Sequence, residues 1–381
     1  MKIIESIIVL IGLLFLTAII GFFILLTGGM HYSSFLVVVP ICLFLLYVCK
    51  SFGWLTTRKR KGWFAGLVGA ALIFASIAPI QYHYKMSIPT VDAEVEIYEY
   101  EPFAVDNKVI TPDTEVSLKM TKPLPRLDGA TAMYPLYSAF AQATYPKKTY
   151  FPYNSEVMVN KTPEAYHNLI YGNADIIFVA APSESQRNVA KMQGHTLNMT
   201  PIGREAFVFF VNHKNSVDNL TLEQVKQIYA GEVTNWNQVG GNNEKIRAFQ
   251  RPADSGSQST LEKIMGDTTI MEAPAEDIAT GMGGIIHEVS QYRNYKNAIG
   301  FTFRYYSTEM VGNEDIKLLS IDGVAPTKEN IRNGTYPLTS EFYAVTAGTE
   351  NPNVQVFIDW IVSSEGQALV EKVGYVPVEN N

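Results

Sequence analysis

Arg251-Pro252-Ala253-Asp254-Ser255-Gly256-Ser257-Gln258-Ser259 is the stretch on which the reading of this chain turns. It is a loop running into a helix. Asp254 and Ser255 are both good N-cap residues, and Gln258–Met265 supplies the first two turns. Gly256 lets the backbone pass close to whatever sits there. A helix start presents unpaired N–H groups and the positive end of the macrodipole, so it favours an anion. Ser255 and Ser257 add hydroxyl donors, and Arg251 can place its fork on two oxygens of the same anion. An ordinary capped helix beside a solvated arginine accounts for the same residues.

Working outward, two further helix starts share this chemistry. Asp128-Gly129-Ala130-Thr131-Ala132 is a tight turn before a helix over Tyr134–Tyr145. Asn160-Lys161-Thr162-Pro163-Glu164 reads as a start with Thr162 as N-cap and proline in the first turn, leading to Tyr171 and a stop at Gly172. Between them strand and helix patterns alternate, the sign of an α/β domain. Ala174–Ala180 and Phe207–Val211 are continuous apolar runs, expected of strands covered on both faces. Ile246–Gln250, Ile299–Phe303 and Phe342–Thr346 are further strands. Leu220–Gly231 is a helix with a capping box at Thr221 and Gln224. Asn353–Ser363 starts a last helix that continues to Val373. In open α/β sheets ligands sit beyond the carboxyl ends of strands, where helices begin. Convergence of the three starts would make a cup of donors with one arginine, suited to a compact oxyanion.

The chain of 381 residues carries a net charge of −7. With this charge and no basic stripe outside one short loop, the composition argues against nucleic-acid binding. The two cysteines, Cys42 and Cys49, lie in an apolar region, too far apart along one helix for a disulfide. Ile7–Leu26, Phe35–Cys49 (continuing toward Trp54) and Trp63–Ile80 are apolar runs, the first long enough for the about 20 residues a bilayer requires. Arg58-Lys59-Arg60-Lys61 between the second and third places that loop in the cytoplasm and the C-terminal domain outside it. The expected organisation is a three-span anchor over 1–84 and an extracytoplasmic spacer over 85–126 with short strands at Val95–Tyr100 and Val116–Met120. A two-lobed domain follows, lobe one being 127–203 with 339–381 and lobe two 204–338.

From Leu127 onward the chain resembles the phosphate-binding protein of ABC phosphate uptake systems. The resemblance rests on Gly129-Ala130-Thr131, on Arg251 with Ser255-Gly256-Ser257, on Leu220-Thr221 through Ile228-Tyr229, Gly231 and Trp236, and on Ile299-Gly300-Phe301. It implies a type II periplasmic-binding fold: two α/β lobes joined by crossing strands, with inorganic phosphate between them and an ABC permease as partner. The donors it implies are Thr131, the backbone N–H of Ala132, Thr162, Arg251, Ser255, Gly256 and Ser257. Where the family carries an aspartate that accepts a proton from phosphate, this chain has Ala180. Poorer rejection of sulfate is therefore expected, unless Asp254 or Glu205 substitutes.

No cofactor or metal motif is present, and His287-Glu288 lacks the second histidine of a zinc helix. A hydrolase would need a base near Ser255, and His195, His213 or His287 would have to approach it in space. A sensor signalling through its spans is the other alternative; an intramembrane charge would favour it, and none stands out. Tyr134, Tyr137, Tyr145, Tyr150 and Tyr153 are expected to be packing residues.

Overall fold

One strand organises the C-terminal part of the molecule. In the computed structural model, which describes residues 2–88, 96–273, 295–312 and 314–378, β3 runs from Asn198 to Asn212. Its first half, through Ala206, pairs antiparallel with β9 (Thr339–Thr346). From Phe207 it pairs antiparallel with β6 (Ala298–Phe303) and β7 (Ile316–Leu318). Beyond β9 lie β2 (Ile176–Val179) and β1 (Leu127–Gly129), which are mutually parallel. Beyond β6 lies β5 (Arg247–Ala248), parallel to it. A separate two-stranded pair joins β4 (Asn219–Leu220) to β8 (Ser320–Ile321). One long strand thus belongs to two halves of a sheet, and these define two lobes.

Each half is covered on both faces. Along β2, Ile176 and Phe178 enter one apolar cluster while Ile177 and Val179 enter another, the alternation that a strand dictates. The first cluster takes its helical side from α4 (Tyr134–Thr144), α10 (Asn353–Val362) and α11 (Ser364–Val373). The second takes it from α5 (Lys161–Ile170). The lobe-two core gathers Phe207, Phe209 and Val211 of β3 with α7 (Leu222–Ala230), α8 (Gly256–Met265) and α9 (Lys328–Arg332). The expected capping box on α7 forms, and Gly231 ends that helix in a left-handed conformation. Four of the five singled-out tyrosines are buried, whereas Tyr153 is exposed.

Four expectations need correction. Neither spacer strand forms among the described residues: Ile97–Tyr100 is a 3-10 turn, and 116–120 has no strand partner. Nor do the described residues of this segment stand free of the domain. Tyr100, Val109, Val116, Met120 and Leu124 are buried in the first lobe's core, and the Ser117 N–H and hydroxyl both donate to Glu365. The apolar residues that suggested strands instead pack into the first lobe's core. The last helix is two helices, because Ser363 leaves helical geometry (φ −69°, ψ 169°) and accepts the Gly366 N–H as the cap of α11. The start of α5 lies two residues earlier than expected: Asn160 is the N-cap and Thr162 sits inside the first turn. An unforeseen helix, α6 (Glu184–Met192), opens on a capping box of Ser183 and Gln186.

The N-terminal part is a separate unit, 1–89. It holds α1 (Lys2–Leu26), α2 (Ser33–Ser51) and α3 (Arg58–Ser87), three helices long and apolar enough to cross a membrane. Arg58–Lys61 forms the first turn of α3 and not an open loop, with Thr57 as its N-cap. Cys42 and Cys49 are unpaired.

Candidate functional site

The site is built from the ends of three short segments. β1 ends at Gly129, where an added Cβ would lie 2.5 Å from the Phe178 carbonyl oxygen, so only glycine lets β1 and β2 approach this closely. Thr131–Met133 then makes one 3-10 turn into α4. Its neighbour Asp128 is fully buried and accepts four hydrogen bonds: from the Gly129 N–H (2.8 Å), the Asn160 N–H (2.8 Å) and the side chains of Asn160 (3.0 Å) and Asn168 (2.8 Å). Burial raises the Asp128 pKa above the usual aspartate range, and these donors oppose that shift. Through them one carboxyl sets the start of α5 against the end of β1. Because Asn160 and not Thr162 occupies the cap, the Thr162 hydroxyl is left to face outward from the first turn.

The third segment comes from the other lobe. Ser255 caps α8, accepting the Gln258 N–H at 3.2 Å. Asp254, the other candidate cap, takes a left-handed conformation (φ 61°) and reaches across to lobe one. There its carboxylate accepts from the Ser183 hydroxyl at 2.6 Å, and its carbonyl accepts from Gln186 Nε2 at 3.1 Å. Gly256 faces Thr162 so closely that an added Cβ would lie 3.1 Å from the Thr162 hydroxyl oxygen.

These segments enclose a cavity of about 290 Å³. Thr131, Ala132, Thr162, Arg251, Ser255, Gly256 and Ser257, all seven residues singled out from the sequence, line it. Among the described residues the hydroxyls of Thr131, Thr162 and Ser257 have no hydrogen-bond partner, and neither do the backbone N–H groups of Ala132, Gly256 and Ser257. The Arg251 main chain is anchored by its N–H on Gln258 Oε1 (3.0 Å), while its Nε is buried without a partner among the described residues. Desolvation lowers the Arg251 pKa, the mark of a cation held away from water without a counter-charge. A buried, uncompensated positive group surrounded by open donors is chemically complementary to an anion with several oxygens.

Sequence reasoning missed Lys161, Glu164, Thr302, Phe303 and Tyr306, which also line the cavity. Lys161 carried a signal: a cation in the first turn of a helix opposes the macrodipole and calls for a local reason. Tyr306 and Thr302 carried none, since they reach the cavity only through the pairing of β6 with β3. Of the two proposed stand-ins for the missing aspartate, neither lines the cavity. Asp254 is engaged with Ser183, and Glu205 is buried beside Arg304. Ala180 sits behind Gly256, its carbonyl accepting from the Tyr166 hydroxyl at 3.1 Å. Among the described residues the carboxylate at the cavity wall is Glu164, which is exposed. His195 and His213 bond to backbone carbonyls elsewhere, and His287 lies outside the described residues. Among the described residues no histidine lines the cavity or supplies a base beside Ser255.

Fold and cavity together define a two-lobed binding protein with an anion-receptive cleft, and a model described as a PBP superfamily domain matches residues 123–365; the chain belongs to that superfamily. Among its relatives is the phosphate-binding protein PstS of Bacillus subtilis (strain 168), 30% identical over 169 residues, which are 44% of this chain and 53% of that protein. The phosphate-binding protein PstS of Borreliella burgdorferi is 29% identical over 187 residues, 47% of this chain and 66% of its own length. The chain thus matches between half and two-thirds of these relatives. A crystal structure of a candidate phosphate ABC transporter substrate-binding protein from Clostridium perfringens, with phosphate bound, superposes with a TM-score of 0.50 at 26% identity. It covers 66% of this chain and 98% of that one. The names of these relatives describe phosphate-binding or substrate-binding proteins.

Proposed function

We propose that this protein is a membrane-anchored, extracytoplasmic receptor that binds inorganic phosphate for an ABC-type permease. The anion would be held by Arg251, by the hydroxyls of Thr131, Thr162, Ser255 and Ser257, and by the N–H groups of Ala132, Gly256 and Ser257. One observation carries the reading: three helix starts from two lobes converge on one cavity beside an arginine whose Nε has no partner among the described residues. The names of the relatives support phosphate as the oxyanion. The length and composition of the three N-terminal helices support the anchor, and the basic tetrad at the start of α3 supports a cytoplasmic side for that end. We take the lobes as 127–206 with 339–375, and 207–338, following the change of partners along β3.

Calorimetric titration of the detergent-solubilised full chain with phosphate, sulfate and chloride tests the proposal. Saturable binding of phosphate, with chloride inert, is expected. Absence of binding by either oxyanion would reject it.

A further inference from the structure

Three crossings between the lobes meet around one carboxyl group. β3 changes partners between Ala206 and Phe207, β9 begins at Thr339 opposite Ala206, and Arg204 exchanges two backbone hydrogen bonds with Val376. Glu205 lies among them, 2% exposed. It accepts from the N–H groups of Ala206 (2.9 Å) and Tyr305 (3.0 Å), and its Oε1 stands 3.5 Å from Arg304 Nε. Arg304 in turn donates to the Gly374 carbonyl at 3.1 Å. The pair therefore ties β3, the end of β6 and the C-terminal segment together. From there the path continues to the cavity. The Tyr305 ring stacks on Tyr375 (centroids 4.3 Å apart, planes at 24°), and the Tyr375 hydroxyl donates to the Ala132 carbonyl. Ala132 lines the cavity, and so does Tyr306, next to Tyr305 in the chain.

We propose that Glu205, acting through Arg304 and Tyr375, is a positioning residue for the anion site: its ionised form holds the Ala132 turn ready to receive the anion, and its protonated form slackens that turn. The inference rests on the reading of the cavity as an oxyanion site. Charge on Glu205 strengthens two backbone hydrogen bonds and the attraction to Arg304; a proton removes both gains. The other titratable groups facing this point are Tyr305, Tyr375 and Lys328 at the start of α9, with Glu309 bonded to the far side of Arg304. Burial pushes the Glu205 carboxyl up to about 7 against the opposing pull of Arg304, so the charge changes near neutral pH. Linkage makes the coupling reciprocal: if the ionised form binds better, the anion must favour ionisation.

The test is calorimetry with inorganic phosphate on the full chain, wild type and Glu205→Gln, from pH about 5.5 to about 8.5. Phosphate's own protonation cancels in the ratio of the two dissociation constants. The ratio is expected to be near one at the acid end and at least about fivefold in favour of the wild type at the alkaline end, the low end of ordinary site-to-site coupling. A ratio that does not change with pH overturns the inference while leaving phosphate binding intact. Should Glu205→Gln fail to fold, Tyr375→Phe removes only the hydroxyl that reaches Ala132. It is expected to weaken binding at alkaline pH and to flatten the pH profile, and behaviour identical to wild type overturns the inference. Absence of phosphate binding at every pH overturns the functional reading and this inference together.

Discussion

Replacing Arg251 with alanine is the most informative perturbation of the proposed site. The Arg251 main chain is held by Gln258, and its Nε is buried with no acceptor among the described residues. Its pKa is lowered by desolvation, a disadvantage to the cation that a bound anion would relieve. A hydrogen bond to a charged partner contributes about 1.5–3 kcal/mol, and a forked pair adds to that. The expected loss is therefore about 2–4 kcal/mol of binding, roughly thirtyfold to a thousandfold in Kd. The same substitution removes an uncompensated buried charge, so the unliganded fold should lose little stability. The two effects separate in one experiment. Thermal unfolding of the full chain should give nearly the wild-type Tm without phosphate and a much smaller upward shift with it. Arg251→Lys keeps the charge but not the fork, and should fall between the two. A Kd for Arg251→Ala within twofold of wild type would refute the argument, because a neutral substitution there means the guanidinium does not face the anion.

The remaining expectations concern selectivity, scaffolding and pH. With Ala180 behind Gly256 and neither Asp254 nor Glu205 at the cavity wall, sulfate should compete with phosphate at neutral pH; strict rejection of sulfate in a competition titration would contradict this. Asp128→Asn turns an acceptor of four hydrogen bonds into a group with one acceptor oxygen, leaving buried donors unpaired at about 1–3 kcal/mol each. It should lower the denaturation midpoint and also weaken phosphate binding, since Asn160 positions Thr162. Ser255→Ala should cost about 1 kcal/mol of stability by loss of the α8 cap, read by urea unfolding. Glu205 has a pKa raised from the ordinary 4.5 to about 7 in the fold, so the folded state binds the extra proton. Its contribution is then largest below that window and declines as pH rises through it, by on the order of 3 kcal/mol. Relative to Glu205→Gln, wild-type stability should therefore fall between those pH values, and a constant difference would count against the assignment.

The cavity-lining donors were legible because helix starts carry local chemistry. Ser255, Gly256 and Ser257, Thr131, Thr162 and Arg251 announce themselves by residue type and spacing, the Ala132 N–H came only with the family resemblance, and the apolar runs announced α1 to α3 and the buried strands. These are properties of a few consecutive residues, and periodicity or capping suffices to read them. What tertiary structure alone decided is which distant residues meet. Lys161 and Tyr306 join the cavity, Asp254 turns away from it to bond Ser183, and the segment from Tyr100 to Leu124 fills a core where a spacer was expected. The Glu205–Arg304 pair depends on three chain crossings up to some 170 residues apart in sequence. Burial and long-range pairing are set by how sheets and helices pack, and no local pattern of side chains encodes that partner choice.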